Sequence, residues 1–170
     1  AKRWLYESGT HIPLIVRIPK KIRQDETPGS VDDRLVSSVD FGPTVLNLIG
    51  ESMPDYMQGQ PFLGDDLPPE REYIFGARDR MDERYDLIRM VRDKRYRYIR
   101  NYMPYKPFHQ FMRSCEMGAV MTELRKLHGL NELDPAAAQF FAKQKPLEEL
   151  YDVDSDPDEI HNLADDPAHA

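Results

Sequence analysis

The sequence lacks the features that define several protein classes. It contains a single cysteine, Cys115, so no disulfide bond can form within the chain. No apolar run approaches the roughly 18 residues that a membrane-spanning helix requires, and the apolar stretches are short, such as Leu14 to Val16. The chain begins without a methionine or an apolar leader, so we expect no signal peptide within it. With 40% hydrophobic and 31% charged residues, the remaining composition is that of an ordinary globular domain.

The carboxyl-terminal segment also lacks basic residues. Residues 148–170 contain no lysine or arginine, whereas basic residues clearly outnumber acidic ones from Arg71 to Arg113. Two interpretations stay open: a set of solvated faces, or a middle segment that faces an anionic substrate. The net charge of −7 argues against a nucleic-acid-binding protein, because such domains are usually basic as a whole.

Residues 1–60 are predicted to form the end of an α/β domain. The run from Ile12 to Ile18 is rich in β-branched residues, which favours a strand that is covered on both faces of a sheet. Residues 36–50 have apolar side chains at helical spacing, with Asp40 placed as the N-cap. Residues 51–72 are rich in Pro, Gly and Asp, which predicts a surface connection and a domain boundary.

Residues 70–170 are predicted to form a small α+β domain with an antiparallel sheet. Aromatic and apolar residues on both sides of a polar turn at 92–94 predict a hairpin over 85–101. The same rules predict a strand at 73–76, a helix at 108–128 stopped by Gly129, a helix from Asp134 to about Gln144, and a strand at 149–153. The sequence therefore predicts an α/β fold in two parts.

Four segments carry a resemblance to a known family. They are Lys-x3-Tyr-Glu-x-Gly-x3-Pro from Lys2, Val-Ser-x-Val-Asp-x-x-Pro-Thr-x-Leu-x-Leu-x-Gly at 36–50, Tyr-Arg-Tyr-Ile at 96–99, and Glu-Leu-Tyr-Asp at 149–152 followed by Asp-Pro-x-Glu-x-x-Asn-Leu-Ala at 156–164. A loop glycine, Gly59, fits the same pattern. In this order and spacing the segments resemble the C-terminal part of the sulfatases, in the alkaline-phosphatase-like superfamily, with heparan N-sulfatase-like bacterial sulfatases as the nearest branch.

The resemblance implies an alkaline-phosphatase-like α/β sandwich and a sulfuric ester hydrolase that acts on sulfated carbohydrate, such as a glycosaminoglycan. In this family a formylglycine, made from a Cys/Ser-x-Pro-x-Arg motif, attacks sulfur while Ca²⁺ holds the sulfate oxygens. Cys115 lacks that context, and the family's calcium ligands are expected upstream of Lys2. We therefore expect no metal site and no turnover in this chain alone, and a need for the preceding part of the enzyme. The family is found in the periplasm, the lysosome or outside the cell.

The resemblance also implies site residues. Lys2 matches the lysine that binds a sulfate oxygen, and a solvated terminal lysine is the alternative. Arg78, Arg80 and Glu83 are predicted to lie in a loop after a short strand and to contact substrate, because arginine pairs with sulfate and carboxylate groups. An exposed, salt-bridged loop is the alternative for these residues. His11 is a further substrate-binding candidate, with a structural role at the start of a strand as its alternative.

Two other functions stay open from the sequence. One is a phosphodiesterase or phosphatase of the same superfamily, which an isolated Thr or Ser nucleophile upstream would indicate. The other is a non-catalytic module that binds a glycan or a partner. Tyr102, Tyr105 and His109 form either a sugar-stacking rim or an ordinary aromatic cluster. We also expect residues 1–50 to self-associate or to stay partly disordered in isolation, because the predicted strand at 12–18 lacks neighbours.

Overall fold

The computed structural model describes residues 3–21 and 28–169 and contains both helices and strands. It divides into two compact units: residues 1–12 with 75–170, called the sheet unit below, and residues 13–74, called the loop unit. The elements are α1 (Glu7–Thr10), a 3₁₀ turn (Ser38–Asp40), α2 (Phe41–Leu48), β1 (Ile74–Met81), β2 (Arg84–Arg92), β3 (Tyr96–Asn101), α3 (Arg113–Glu116), α4 (Ala119–Leu130), α5 (Pro135–Gln139), β4 (Glu148–Asp152) and a 3₁₀ turn (Pro167–His169).

The four strands form one sheet in the order β1-β2-β3-β4. β2 and β3 pair antiparallel, with Met90 opposite Ile99, and β3 pairs antiparallel with β4. The predicted hairpin over 85–101 is therefore confirmed. Asp93 fixes its turn, since the Asp93 carboxylate accepts hydrogen bonds from the backbone N–H groups of Arg95 and Tyr96 at 2.7 and 2.5 Å.

One face of the sheet carries the apolar core of the sheet unit. Ile88, Met90, Ile99 and Tyr151 are buried there, because alternate residues of a strand point to the same face. Partly buried aromatic and apolar side chains from residues 4–6 pack against them. The amino-terminal segment thus belongs to the same compact unit as the sheet. The sequence had grouped it with residues up to 60, because no local pattern reveals a contact across almost 100 residues.

A buried ionic cluster fastens that segment to the sheet. The Arg97 guanidinium is fully buried; it donates to the Glu7 carboxylate at 2.6 Å and pairs with Glu159 at 2.8 Å. Arg92 also pairs with Glu7. Burial alone would raise the pKa of Glu7, but hydrogen bonds from the two arginines outweigh it and lower that pKa. Glu149, also fully buried, accepts hydrogen bonds on the same face of the sheet.

A side chain of the carboxyl-terminal segment binds backbone groups of β4. The Asn162 amide oxygen accepts from the backbone N–H of Leu150 at 2.9 Å, and its amide nitrogen donates to the carbonyl of Glu148 at 3.0 Å. The backbone N–H of Leu163 donates to the Leu150 carbonyl at 2.8 Å. The asparagine and leucine of the Asn-Leu-Ala segment therefore satisfy backbone groups of β4.

The helices of the sheet unit depart from the predicted pattern. The single helix predicted at 108–128 is wrong: α3 and α4 are separate, with Met117 and Gly118 between them. The predicted stop at Gly129 is also displaced, since α4 continues to Leu130 and ends at Asn131 in the left-handed region (φ 58°). The predicted start of α5 is confirmed, because the Asp134 side chain accepts from the Ala136 N–H at 2.9 Å.

The loop unit has little regular structure, and the strand predicted at 12–18 is wrong. Residues 11–19 form no helix or strand, and Ile15 is 92% exposed. A strand is defined by pairing, and the described residues offer this apolar segment no neighbouring strand. The predicted helix over 36–50 is present as the 3₁₀ turn and α2.

A buried carboxylate organises the loop unit. Asp40 is 1% exposed and accepts from the backbone N–H groups of Ser37 and Gln60 at 2.8 and 2.9 Å, and from Arg71 at 2.5 Å. It was predicted to cap α2, but its side chain makes no capping bond to that helix. Gly59 lies against the same turn, where an added Cβ would come within 2.1 Å of the Val39 carbonyl oxygen. No helix in the described part of the chain is long and apolar enough to cross a membrane.

Candidate functional site

The predicted catalytic residue, Lys2, lies outside the described residues, but the next residue is described. Arg3 has a φ of +84°, a backbone conformation that a long side chain rarely adopts. Its guanidinium is held in place from several sides. It pairs with Asp82, donates to the Ser114 hydroxyl at 2.9 Å, and lies 4.0 Å from the Met112 sulfur. The main chain immediately after Lys2 is therefore anchored by side chains from distant segments.

Arg3 forms one wall of an open cleft beside the β1–β2 hairpin. The cleft has a volume of about 480 Å³ and is called the hairpin cleft; its lining residues are Arg3, Asp82, Glu83, Arg113, Ser114 and Met117. The turn between β1 and β2 supplies the two carboxylates, the amino-terminal segment supplies Arg3, and the region of α3 supplies Arg113, Ser114 and Met117. Asp82 sits at the tip of the turn with a φ of +50°, which aspartate tolerates better than most residues.

The polar groups of the hairpin cleft are unequally satisfied. The Ser114 hydroxyl donates to the Asp82 carboxylate at 3.2 Å, so Asp82 holds both Arg3 and Ser114. The Glu83 carboxylate accepts from the backbone N–H of Arg113 at 2.8 Å, and this hydrogen bond lowers the pKa of Glu83. The Arg113 guanidinium, in contrast, has no hydrogen bond or ion pair to any residue that the structure describes.

Arg78 and Arg80, predicted to lie in a loop, instead lie on β1, which extends to Met81. The prediction of a loop over residues 78–83 is wrong, because the hairpin closes through the two-residue turn Asp82–Glu83. Of the three residues predicted to lie in the loop, Glu83 alone lies in this turn. Arg80 stacks on the Tyr85 ring and donates to the Asp82 carbonyl at 2.8 Å. Glu83 alone among the predicted substrate-binding residues lines the hairpin cleft.

Arg78 occupies a buried position. Its guanidinium lies 4.2 Å from the centre of the Trp4 ring and 3.6 Å from the Asp86 carboxylate. Lys145 donates to both oxygens of Asp86 at 2.9 and 2.8 Å. Burial lowers the pKa of Arg78 and of Lys145, and Asp86 opposes that shift in both. Substrate contact by Arg78 stays a prediction, and its buried position favours a role in the core.

The remaining predicted residues are distributed over the surface and the core. His11 is largely exposed, and its Nδ1 lies 2.8 Å from Glu7, which fits the structural alternative. His109 is buried, and its Nε2 lies 2.9 Å from Glu116 while its ring packs on Phe140, so it does not form a solvent-facing rim. Tyr102 and Tyr105 are exposed by 51% and 62%. These residues and Arg78 do not line the hairpin cleft.

The described ranges 3–21 and 28–169 contain no group of three or more His, Cys, Asp or Glu side chains that could hold a metal ion. The donor set for the calcium ion implied by the resemblance is thus not assembled from these residues.

Sequence reasoning missed most of the hairpin cleft. Arg3 and Ser114 lie 111 residues apart in the chain, and Asp82 lies between them. None of these residues stands in a pattern that predicts proximity. The weak signal that was available is that Arg3 directly follows Lys2, which the resemblance had already marked.

Comparison with known proteins identifies relatives. A family model described as "N-sulphoglucosamine sulphohydrolase, C-terminal" matches residues 1–126. An ulvan-active sulfatase of Formosa agariphila is 44% identical over 168 residues, which cover 99% of this chain and 28% of that protein. A second ulvan-active sulfatase of that organism is 34% identical, covering 94% and 30%. An N-acetylglucosamine-6-O-sulfatase of Bacteroides thetaiotaomicron is 26% identical, covering 95% and 23%.

Solved structures give a weaker likeness. The structure of BT1596, a 2-O GAG sulfatase, has a TM-score of 0.47 and 22% identity, over 76% of this chain and 20% of that one. The chain spans less than a third of the length of the curated relatives it matches. The family model covers most of the chain and includes three of the four motif segments identified from the sequence, those that lie between Lys2 and Ile99. This chain therefore belongs to the sulfatase family, and corresponds to the C-terminal part of its members.

Proposed function

We propose that the protein containing this chain is a sulfuric ester hydrolase that acts on sulfated carbohydrate. The observation that carries the proposal is the match of residues 1–126 to the sulphohydrolase family model, together with 44% identity across the chain to an ulvan-active sulfatase. Three relatives are named for activity on ulvan or on N-acetylglucosamine 6-sulfate, which are sulfated carbohydrates. This agreement supports a sugar sulfate rather than a phosphate ester as the substrate class.

Within this chain, we assign the catalytic contribution to Lys2. An ammonium group fixed beside the sulfate would stabilise negative charge that develops on its oxygens in the transition state. Such stabilisation requires that the group be held in position before the reaction. The segment just after Lys2 is held by the Arg3 contacts and by the buried Glu7–Arg97 pair.

We further propose that the loop unit is covered by another part of the sulfatase. Phe41, Val45 and Ile49 recur every four residues along α2 and are 41%, 57% and 63% exposed. In the segment before them, Leu14, Ile15 and Val16 are also exposed. Apolar stripes of this kind mark surfaces that bury against other protein. In isolation the same surface would favour self-association.

The proposal is tested by assaying the natural-length polypeptide that contains this chain. Sulfate release is measured from ulvan oligosaccharides and from N-acetylglucosamine 6-sulfate, alongside phosphate release from matched phosphate esters. We expect sulfate release, and we expect Lys2→Ala to lower kcat by about 10²- to 10³-fold, as the loss of one preorganised charge-stabilising group does. Lys20→Ala is the control, because Lys20 is an exposed lysine.

Different results would select the alternatives. Release of phosphate without sulfate would replace the proposal with a phosphodiesterase or phosphatase. Binding of the oligosaccharides with no ester hydrolysis would indicate a non-catalytic module. Equal kcat values for the Lys2→Ala and Lys20→Ala variants would remove Lys2 from the catalytic machinery and leave the family assignment untouched.

A further inference from the structure

The hairpin cleft has the composition of a carbohydrate subsite. It presents two arginines, two carboxylates and a hydroxyl around about 480 Å³, a volume within the usual range for small-molecule sites. We propose that it binds one anionic sugar unit of the substrate, with Arg113 binding the sulfate or carboxylate group of that sugar. This inference rests on the proposed function, because it takes the substrate to be a sulfated carbohydrate.

The pairing of the lining groups leaves one cation for a ligand. Arg3 is already bound to Asp82 and Ser114. The Glu83 carboxylate is held by the backbone N–H of Arg113, which does not use the Arg113 side chain. The Arg113 guanidinium is therefore the group in the cleft that is available for a bidentate bond to an anion.

The carboxylates of the cleft suit the hydroxyl groups of the same ligand. Carboxylates accept hydrogen bonds and do not donate them when ionised, so they pair with sugar hydroxyls and repel anions. Asp82 and Glu83 sit together at the hairpin turn, and Arg113 lies on the α3 side of the cleft. A sugar that carries both hydroxyls and an anionic group would use both kinds of partner, the carboxylates for its hydroxyls and the Arg113 guanidinium for its anion.

The backbone conformation of two lining residues points to the same place. Arg3 and Asp82 both have positive φ values, and they bind one another across the cleft. Non-glycine residues in this region cost free energy, and they persist where surrounding contacts fix them, frequently at ligand sites.

Binding and turnover of the natural-length polypeptide test the proposal together. Affinities for N-acetylglucosamine 6-sulfate, glucuronic acid and neutral N-acetylglucosamine are measured by calorimetry for the wild type, Arg113→Ala and Arg113→Lys. Lys126→Ala is the matched control, because Lys126 is an exposed cation on α4 whose ammonium lies 3.4 Å from Glu123. Each variant is also assayed for hydrolysis of 4-nitrophenyl sulfate, which lacks the sugar. Replacing the Arg113 side chain keeps the backbone N–H that holds Glu83, so the cleft should stay folded.

We expect Arg113→Ala to weaken binding of an anionic sugar by about 10- to 100-fold, as the loss of a hydrogen bond to a charged group does. Binding of the neutral sugar by Arg113→Ala should stay within about twofold of the wild type, and Lys126→Ala should match the wild type both in sugar binding and in hydrolysis of 4-nitrophenyl sulfate. Arg113→Lys should recover part of the affinity, because lysine keeps the charge but not the planar fork. Loss confined to the 6-sulfate identifies a sulfate-binding subsite, and loss confined to glucuronic acid identifies a carboxylate-binding subsite.

The inference is overturned if Arg113→Ala and Lys126→Ala bind both anionic sugars as tightly as the wild type, or if the wild type binds neither. Hydrolysis of 4-nitrophenyl sulfate in that case leaves the proposed function in place. The reverse pattern, in which Arg113→Ala loses anionic sugar binding but the wild type releases no sulfate from ulvan oligosaccharides, N-acetylglucosamine 6-sulfate or 4-nitrophenyl sulfate, keeps the subsite and refutes the sulfatase activity.

Discussion

The sheet unit buries charged side chains, whereas the loop unit exposes apolar ones. In the sheet unit, Arg97, Glu149 and Glu159 have little or no exposure. In the loop unit, Ile15 and Ile49 are 92% and 63% exposed, and no comparable apolar core forms among its described residues. Breaking a buried ion pair is costly, because it leaves an uncompensated buried charge. The contrast teaches that the sheet unit has an apolar and ionic core of its own, while the loop unit presents apolar side chains that favour burial.

The largest effect on stability is expected when the buried cation of the sheet unit is removed. Arg97→Met should lower the free energy of unfolding by about 3–5 kcal/mol, because it removes the cation paired with the buried Glu159 carboxylate and one of the two arginines paired with Glu7. Chemical denaturation monitored by circular dichroism measures the change.

Arg95→Met is the matched control for that measurement. Arg95 pairs with Asp152 at 2.6 Å, but its side chain is 58% exposed, so its loss should cost less than about 1 kcal/mol. Equal effects of the two substitutions would show that burial does not distinguish them and would contradict the assignment of a buried ionic cluster.

The stability that the buried ionic cluster contributes should depend on pH. Burial raises the pKa of Glu159 to about 7, against an ordinary value of 4.5, with Arg97 opposing the shift. The folded state therefore binds more protons than the unfolded state between pH 4.5 and 7. The contribution of Glu159 to stability is fully present below pH 4.5 and is lost as pH rises to 7, by up to about 3 kcal/mol.

Glu159→Gln should remove this loss, because the amide does not titrate and its oxygen can still accept the Glu7 N–H. The stability of the variant relative to the wild type should increase from pH 4.5 to pH 7 in denaturation at fixed ionic strength. Asp152 provides the contrast: its hydrogen bond from Arg95 lowers its pKa to about 2, so its contribution is lost only as pH falls. A flat difference between wild type and Glu159→Gln would show that the pKa of Glu159 is the same in the folded and unfolded states.

A substitution at the closely packed Gly59 tests whether the loop unit has a defined structure. Gly59→Ala should destabilise it by about 1–3 kcal/mol, because the new Cβ would come within 2.1 Å of the Val39 carbonyl oxygen. Gly42→Ala is the control, since its Cβ would meet only the Met57 methyl at 3.7 Å and the residue lies in α2. We expect Gly42→Ala to be neutral or stabilising by up to about 1 kcal/mol. Hydrogen exchange of the Gln60 amide reports the local effect, and equal exchange in both variants would contradict the close approach at Gly59.

The smallest effect is expected at the exposed apolar positions. Ile15→Ser and Ile49→Ser should change the free energy of unfolding by less than about 0.5 kcal/mol, because neither side chain is buried. They should nevertheless reduce self-association of the isolated chain in sedimentation velocity. Destabilisation by several kcal/mol would show instead that these residues belong to a core of the loop unit.

Elements set by local chemistry were predictable from the sequence. The hairpin over 85–101 follows from alternation around a polar turn, and α5 begins where Asp134 precedes Pro135. The helix predicted at 108–128 failed because its apolar spacing continues through Gly118, where the backbone is extended (ψ 137°) and acts as the cap of α4. The strand predicted at 12–18 failed because strand formation depends on a neighbour that lies far away in sequence, and periodicity contains no information about that neighbour.

The candidate site was less predictable than the fold. Glu83 was selected correctly as a lining residue of the cleft, although its loop proved to be a hairpin turn. Arg78 was selected because arginine pairs with anions, but the alternation of β1 places it on the buried face with Asp86. Arg3 and Arg113 were not selected, since their proximity depends on how the amino-terminal segment packs within the sheet unit.

The amide of Asn162 has a consequence for how this sheet meets other molecules. β4 is the last strand of the sheet, and an outermost strand normally offers its N–H and C=O groups to any extended chain that comes near. Here the Leu150 N–H and the Glu148 carbonyl are already bound by that one side chain. A foreign strand would have to displace Asn162 before it added to β4, so this side chain protects the sheet against edge-to-edge aggregation.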